Sequence, residues 1–368
     1  MHNSKFKILV INTVEFGRNG ISSHIFNYFF PLNKRNYEIH IGNTQDMSNE
    51  LYEEIREQGV QVHDFSKRNM QPVRYMIELY KHIRKYNYDI VHVHGNSSTM
   101  AFDLFPAFCA RSRIRIAHSH NTKCSHPLLH KLLRPLLEVS SNARFACSKE
   151  AGEWLFLNKK FWIIPNGIDF KKYKFSLSSR QKIRDYWKIS RKEKVIGHVG
   201  LFNEQKNHEF LIEIFNECSK LNCLCKLMLV GDGPYKEQIK KKVVQFGLEE
   251  KVIFCGETQN VTAYLSAMDL FVFPSRFEGL GMALIEAQAC GLPCVVSDVV
   301  PKVTKISGNI SYLSLTEDMS QWSEEIMLYL NKDVSRDIKI ADKYMNIFDI
   351  HALVQTLEKI YYKLLKKR

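Results

Sequence analysis

The chain has 368 residues, 45% of them hydrophobic and 25% charged, with a formal net charge of +13. That length suits two domains, each with a core of its own, and no apolar run reaches the length of a membrane span. Met1–Lys7 leads into a strand with neither an h-region nor a cleavage site. The nine cysteines are scattered without a Cys-x-x-Cys, which argues against a disulfide framework or a cysteine zinc site, so a cytoplasmic protein is expected.

In chain order, short apolar runs predict strands at 7–12, 38–42, 61–65, 90–94, 114–118 and 144–147. Amphipathic stretches between them predict helices at 22–30, 49–58, 73–86, 99–110 and 127–141. A strand at 161–164 closes this half, before Pro165-Asn166-Gly167-Ile168-Asp169. After a helical, charged stretch the pattern restarts. Strands are expected at 195–200, 226–230, 252–255, 270–273 and 293–297, and helices at 208–220, 235–246, 261–267 and 282–290. Strands that alternate with helices make an α/β chain of two doubly wound parallel sheets. In the last helix, 350–365, Leu353, Leu357, Ile360, Tyr361 and Leu364 keep helical spacing, which predicts a packing face.

The charge is unevenly placed. Residues 1–190 hold 29 Lys and Arg against 16 Asp and Glu, whereas residues 191–368 hold 23 of each. Within 105–190 the count is 17 against 5. Leucine pairs alternate with basic residues in Pro127-Leu128-Leu129-His130-Lys131-Leu132-Leu133-Arg134-Pro135-Leu136-Leu137, and Lys159-Lys160-Phe161-Trp162 repeats the mixture. A solvated basic face is the plain reading. No nucleic-acid recognition motif is present, and basic residues mixed with apolar ones suit an anionic membrane surface.

The most informative stretch is Pro274-Ser275-Arg276-Phe277-Glu278-Gly279-Leu280-Gly281-Met282-Ala283-Leu284-Ile285-Glu286-Ala287. It follows the strand Leu270–Phe273 and runs through a glycine loop into a helix that Gly291 and Pro293 stop. Backbone N–H groups at such a helix start suit a phosphate. Carboxylates repel phosphate, so Glu278 and Glu286 suit neutral hydroxyls; each alone would read as a solvated glutamate.

Taken together, Pro-Ser-x-x-Glu-Gly-x-Gly-x-x-x-x-Glu-Ala-x-Ala-x-Gly-x-Pro resembles the signature of glycosyltransferase family 4 (group 1), retaining enzymes of the GT-B fold. That fold has two Rossmann-like domains facing a cleft. The resemblance implies an acceptor domain over 1–175, with helix 350–368 packing back on it, and a nucleotide-sugar domain over 185–349. It also implies that Glu278 contacts the donor sugar and Glu286 the ribose, while backbone amides of Gly279, Leu280, Gly281 and Met282 face the diphosphate.

Other segments extend the resemblance. In Gly200-Leu201-Phe202-Asn203-Glu204-Gln205-Lys206, Lys206 matches a family cation that balances the diphosphate. Leu201 stands where a family arginine is expected, and Arg18 or Arg276 is a candidate replacement. Leu229-Val230-Gly231-Asp232-Gly233-Pro234 resembles a turn bordering the nucleotide, and the segment ending at Gly256 one that meets the base. Phe16-Gly17-Arg18-Asn19-Gly20 resembles the family's glycine loop near the donor phosphate, with Asn19-Gly20 in place of a double glycine.

Histidines gather at two strand ends, His92 and His94, then His118 and His120. Two His-x-His pairs suit zinc, but the family's chemistry needs no metal and no carboxylate lies nearby in sequence, so no metal is expected. The resemblance implies that His118 or His120 serves the donor sugar or the reaction centre, with His120 favoured as nearer the loop. The expected activity is metal-free retaining transfer from a nucleotide donor, UDP in the first instance, by front-face attack. The motifs most resemble bacterial capsule and exopolysaccharide transferases, which implies a polyprenyl-diphosphate-linked acceptor at the inner membrane face. A non-catalytic or partner-dependent GT-B subunit and another nucleotide-sugar activity on the same fold remain as alternatives.

Overall fold

The computed structural model describes residues 5–366 apart from 18, 19, 34, 125, 222, 223 and 333. The chain divides into two compact units. The first runs to Ile168 and is rejoined from Asn346; the second is Asp169–Met345. The division falls earlier than the expected 175 and 185, because Tyr173 and Phe175 already pack against the second unit's core.

The first unit holds seven strands: β1 (Phe6–Asn12), β2 (Tyr37–Asn43), β3 (Gln61–Asp64), β4 (Ile90–Gly95), β5 (Ile114–Ser119), β6 (Ala143–Ala146) and β7 (Trp162–Ile163). They form one sheet in the order β3-β2-β1-β4-β5-β6-β7, with every pairing parallel. β-Branched residues recur in β1, β2 and β4, and successive side chains serve opposite faces. Ile8 and Val10 enter one hydrophobic cluster, Leu9 and Ile11 the other. Helices therefore cover both faces, as a parallel sheet requires.

The helix Ile350–Lys366 belongs to the first of these clusters. Leu353, Val354, Leu357, Tyr361 and Leu365 pack there with Ile8, Val10 and Phe145. Ile360 and Leu364 are only partly buried, so the packing face lies one position away from part of the expected stripe. Backbone bonds from Ile168 N to Phe348 O (2.8 Å) and from Ile350 N to Ile168 O (2.9 Å) fix where this helix starts.

The second unit has six strands: β8 (Lys194–Val199), β9 (Cys225–Val230), β10 (Val252–Gly256), β11 (Leu270–Phe273), β12 (Cys294–Ser297) and β13 (Ile310–Leu313). Their order is β10-β9-β8-β11-β12-β13, again parallel throughout. The edge strand β13 and the helices Lys149–Phe156, Met319–Leu330 and Asp342–Phe348 are additions to the sequence expectation. In Lys149–Phe156 the sequence misleads through Gly152. Glycine disfavours a helix, yet a Cβ there would lie 2.2 Å from the Phe161 ring, so the packing demands it.

Leu357→Ala should lower the unfolding free energy by about 2–5 kcal/mol, the usual cost of a core leucine truncated against a cavity. Urea denaturation followed by far-UV circular dichroism measures it, and a change below 1 kcal/mol, roughly the scale of a surface substitution, would mean the helix is not docked.

Candidate functional site

Open parallel sheets bind ligands beyond the carboxyl ends of the strands, where the strand order reverses. The orders place these switch points between β1 and β4 in the first unit and between β8 and β11 in the second. Each unit is described on its own.

In the second unit the loops after β8 and β11 are zipped together. Arg276 N donates to Gln205 O at 2.8 Å, and Asn207 Nδ2 to Pro274 O at 3.1 Å. This brings Lys206 to Glu278, with Nζ to Oε1 at 2.6 Å, while Gln205 Nε2 donates to Oε2 at 3.1 Å. Both side chains of the pair are largely buried, at 15% and 5% exposure, and Lys206 Nζ lies 4.5 Å from the centre of the Phe273 ring. An ammonium has three donors, and one here is committed to Glu278. The helix Met282–Ala289 starts beside this pair at Gly281, whose φ of 79° is left-handed and whose position offers no capping side chain. Its first amides are thus left without side-chain partners, and a Cβ at Gly279 would meet nothing within 4 Å.

Glu286 sits one turn into that helix, half-buried, with Tyr173 hydrogen-bonded to it. Burial raises its carboxyl from 4.5 to about 7, against the opposing pull of Tyr173, Lys172 and Lys206. Two backbone-to-backbone approaches complete the surroundings. Gly231 has φ +135°, and a Cβ there would lie 2.1 Å from Gly200 O; Gly200 N in turn donates to Val230 O at 3.0 Å. Gly231 N donates to Gly256 O at 2.9 Å, so the turns after β8, β9 and β10 form one backbone platform. Leu201 is half exposed on it, and Arg276 is exposed on the β11 loop. Arg18, the other candidate cation, lies outside the described residues.

In the first unit His94 of β4 pairs in register with His118 of β5, and His120 follows directly, its N–H bonded to Gly95 O at 3.1 Å. His24, from the helix Gly20–Asn33, joins them with its ring 4.8 Å from that of His120. Burial lowers all four imidazoles: His24 to about 4, and His94, His118 and His120 well below the usual range. Gly17 N donates to Ser22 Oγ at 3.2 Å, and a Cβ at Gly17 or Gly20 would meet nothing within 4 Å. Beside them a cavity of ≈890 Å³ opens at the strand ends, lined among others by Thr13, Gln45, Arg68, Asn96, Asn121 and Lys123.

The sequence-selected residues therefore fall into two groups. Lys206, Glu278, Glu286, Gly200, Gly231, Gly256 and Gly279–Met282 gather in the second unit; His118, His120, Gly17 and Gly20 gather in the first. Three partners escape sequence reasoning: Tyr173, which holds Glu286; Asn166, whose Oδ1 is 2.8 Å from His24 Nδ1; and the buried Arg68–Asp103 pair, joined by Tyr75. The Pro165-Asn166-Gly167 turn was visible in sequence. The pairing of positions 68 and 103 has no sequence signal.

The family profile described as "Glycosyl transferases group 1" matches residues 179–343, and that described as "Glycosyltransferase Family 4" matches residues 18–172. The chain is 33% identical over 251 residues to EpsF of Bacillus subtilis, named as a glycosyltransferase, covering 65% of each chain. It is 26% identical over 244 residues to the UDP-Gal:alpha-D-GlcNAc-diphosphoundecaprenol alpha-1,3-galactosyltransferase of Escherichia coli, covering 62% of this chain and 63% of that one. The chain thus spans just under two thirds of the length of these relatives. Among solved structures, HepE of Anabaena in complex with UDP-glucose superposes with a TM-score of 0.80 at 18% identity, over 97% of this chain and 99% of that one; this likeness is one of fold.

Glu286 offers a measurement independent of any relative. Unfolded, its carboxyl loses the proton near 4.5; folded, it keeps it to about 7. The folded state binds more protons between those values, so stability falls as pH rises across them. Glu286→Gln should therefore be more stable than the parent at pH 8 by about 1–3 kcal/mol, with the gain gone near pH 4.5. Denaturant titrations at both pH values measure the difference, and equal stability at pH 8 would refute the raised carboxyl.

Proposed function

We propose that this chain, which belongs to the group 1 (family 4) glycosyltransferases of the GT-B fold, transfers a sugar from a UDP-linked donor to a hydroxyl of a lipid-linked glycan, with retention and without a metal. The observation that carries this reading is the buried Lys206–Glu278 pair beside the uncapped start of the helix Met282–Ala289. A cation and open amides suit the diphosphate, and the carboxylate beside them suits sugar hydroxyls. Glu286, held by Tyr173, is the ribose ligand. The glycines 200, 231 and 256 let the backbone approach the nucleotide.

Departure of the nucleoside diphosphate develops negative charge that Lys206 and the amides balance, and the leaving phosphate takes the acceptor proton in a front-face attack. His120, with His118 behind it, serves the sugar or the reaction centre. The first unit binds the acceptor. The name of the Escherichia coli relative supports a diphosphoundecaprenol-type acceptor, and the sequence resemblance to capsule and exopolysaccharide transferases supports that pathway class.

A peripheral position on the inner membrane face is supported by the helix Pro127–Ser140, which exposes Leu128 (79%) and Leu132 (76%) around Lys131. Among the described residues no helix is long and apolar enough to cross a membrane. Arg134 is excluded from the docking face, since its guanidinium packs on His130 Nε2 at 2.7 Å. Leu201 favours a second reading, a partner-dependent subunit that binds nucleotide and turns over only with another chain. A transfer assay on the purified chain separates the two.

UDP should raise the melting temperature in the presence of a chelator, because a ligand of the folded state stabilises it by mass action. Glu286→Ala should weaken that binding by about 1–3 kcal/mol, whereas Glu278→Ala should chiefly cut transfer. No shift with any nucleoside diphosphate, or one that the chelator abolishes, would overturn the donor site.

The protein should also bind anionic vesicles at low salt. Each basic residue near such a surface contributes about 1 kcal/mol, with a reach of about 8 Å at physiological salt. Changing Lys131, Lys159 and Lys160 to glutamate should release it while UDP binding persists. Sedimentation with vesicles reads the effect, and binding indifferent to these changes would place the docking surface elsewhere.

A further inference from the structure

The four imidazoles at the first unit's switch point are arranged as ligands as well as neighbours. One nitrogen from each of His24, His94, His118 and His120 lies within 4.8 Å of all the others. The six ring-centre separations run from 4.3 to 5.6 Å. With zinc–nitrogen bonds of about 2.0–2.1 Å, tetrahedral imidazoles have ring centres about 5 Å apart, a spacing these four rings match.

Two of the four rings have partners outside the set, whereas His94 Nδ1 and His120 Nε2 are bonded to each other at 2.9 Å, a contact that ion binding must break. Asn166 Oδ1 accepts from His24 Nδ1, which leaves His24 Nε2 as the ligand atom. His118 Nδ1 is engaged by His92 Nε2 at 3.1 Å, and His92 Nδ1 by the Tyr361 hydroxyl at 2.6 Å. His118 Nε2 and His94 Nε2 are buried without a hydrogen-bond partner. An unpaired buried acceptor is destabilising, and a metal bond would satisfy it. An oxygen partner on the far ring nitrogen orients metal-binding histidines, and Asn166 is such a partner for His24. The unit's other histidine cluster differs in its orphans: His40, His63 and His82 bond to Glu38, to Tyr88 and to each other, and none of their ring nitrogens is among the buried atoms without a partner.

We propose that His24, His94, His118 and His120 form a binding site for a zinc-class divalent ion, with Asn166 and His92 as its outer partners. The donor set is imidazole alone, which suits zinc, copper or nickel and disfavours magnesium or calcium. His120, the one partly exposed member, is the side from which the ion enters. The site does not rest on the donor residues assigned in the second unit, Lys206, Glu278 and Glu286. His118 and His120 are also the imidazoles assigned to the sugar, so the loaded protein should transfer more slowly than the chelator-treated one.

The test is a titration of chelator-treated protein with cobalt(II) and with zinc, without nucleotide. One equivalent should bind, and cobalt should give the intense visible bands of a four-coordinate ion. Asn166→Ala should weaken binding by about 10–100-fold, the usual effect of losing an outer partner. His118→Gln should weaken it at least as much, and His82→Gln should leave it unchanged. Circular dichroism confirms that each variant is folded, and Asn166→Ala, which removes no ligand, decides the matter if His118→Gln is not. Absence of the cobalt bands, parental affinity in Asn166→Ala and His118→Gln, or equal weakening in His82→Gln would each overturn the site.

Discussion

The constraint on which the rest depends is that both sheets are parallel and covered on both faces. A parallel strand buried front and back has no lateral outlet for polar chemistry, so functional side chains are confined to the carboxyl edge. The strand β4 shows the consequence. All six of its residues are buried, yet it carries His92 and His94 towards that edge. β11 is a buried four-residue apolar run, and everything chemically useful follows it, in the loop that holds Glu278. The same rule makes the glycines necessary. At Gly231 the turn after β9 meets the carbonyl of Gly200 so closely that no side chain fits, and the backbone itself becomes the surface offered to a ligand.

Within that edge the second unit balances charge locally. A buried ion pair is weak evidence of stability, because desolvation offsets much of its attraction. Lys206 and Glu278 are better understood as a preorganised dipole, held by Gln205 and backed by the Phe273 ring. The pair keeps a cation next to open helix amides and so retains donors for an anion, without leaving either charge unpaired beforehand. Glu286 is the costlier residue. Its carboxyl is held against its own desolvation, and Tyr173 does not fully compensate. A residue kept at a cost to stability, at a switch point, is what a binding site looks like energetically.

Much of this was legible in the sequence because periodicity and turn chemistry are local. The helix His208–Lys220 and the strand β11 have the bounds expected, and Glu278 and Glu286 stood out through their spacing around two glycines. What was not legible is tertiary. Tyr173 lies 113 positions before Glu286, and Asn166 lies 142 after His24, so no window contains both partners. The helix Lys149–Phe156 was hidden by Gly152, whose propensity is overridden by the Phe161 ring pressed against it. Arg134 looked like part of a uniform basic face, but burial turns its guanidinium inward to His130.

The histidines show how far the sequence pattern underdetermines the chemistry. Two His-x-His pairs on adjacent strands gave four candidates, and parallel register necessarily brings His94 beside His118. The pattern did not supply His24, which arrives from a helix and converts a row of imidazoles into an enclosed set. A row along one edge can relay a proton; an enclosed set with inward lone pairs can also hold a cation. Burial favours both uses for the same reason, since it keeps the rings neutral and hence able to accept. The two uses differ in what they require of the outer contacts. A relay needs only continuity from ring to ring, as in the His94–His120 contact, whereas a ligand set needs far nitrogens tied down, and the Asn166 and His92–Tyr361 contacts do that for His24 and His118.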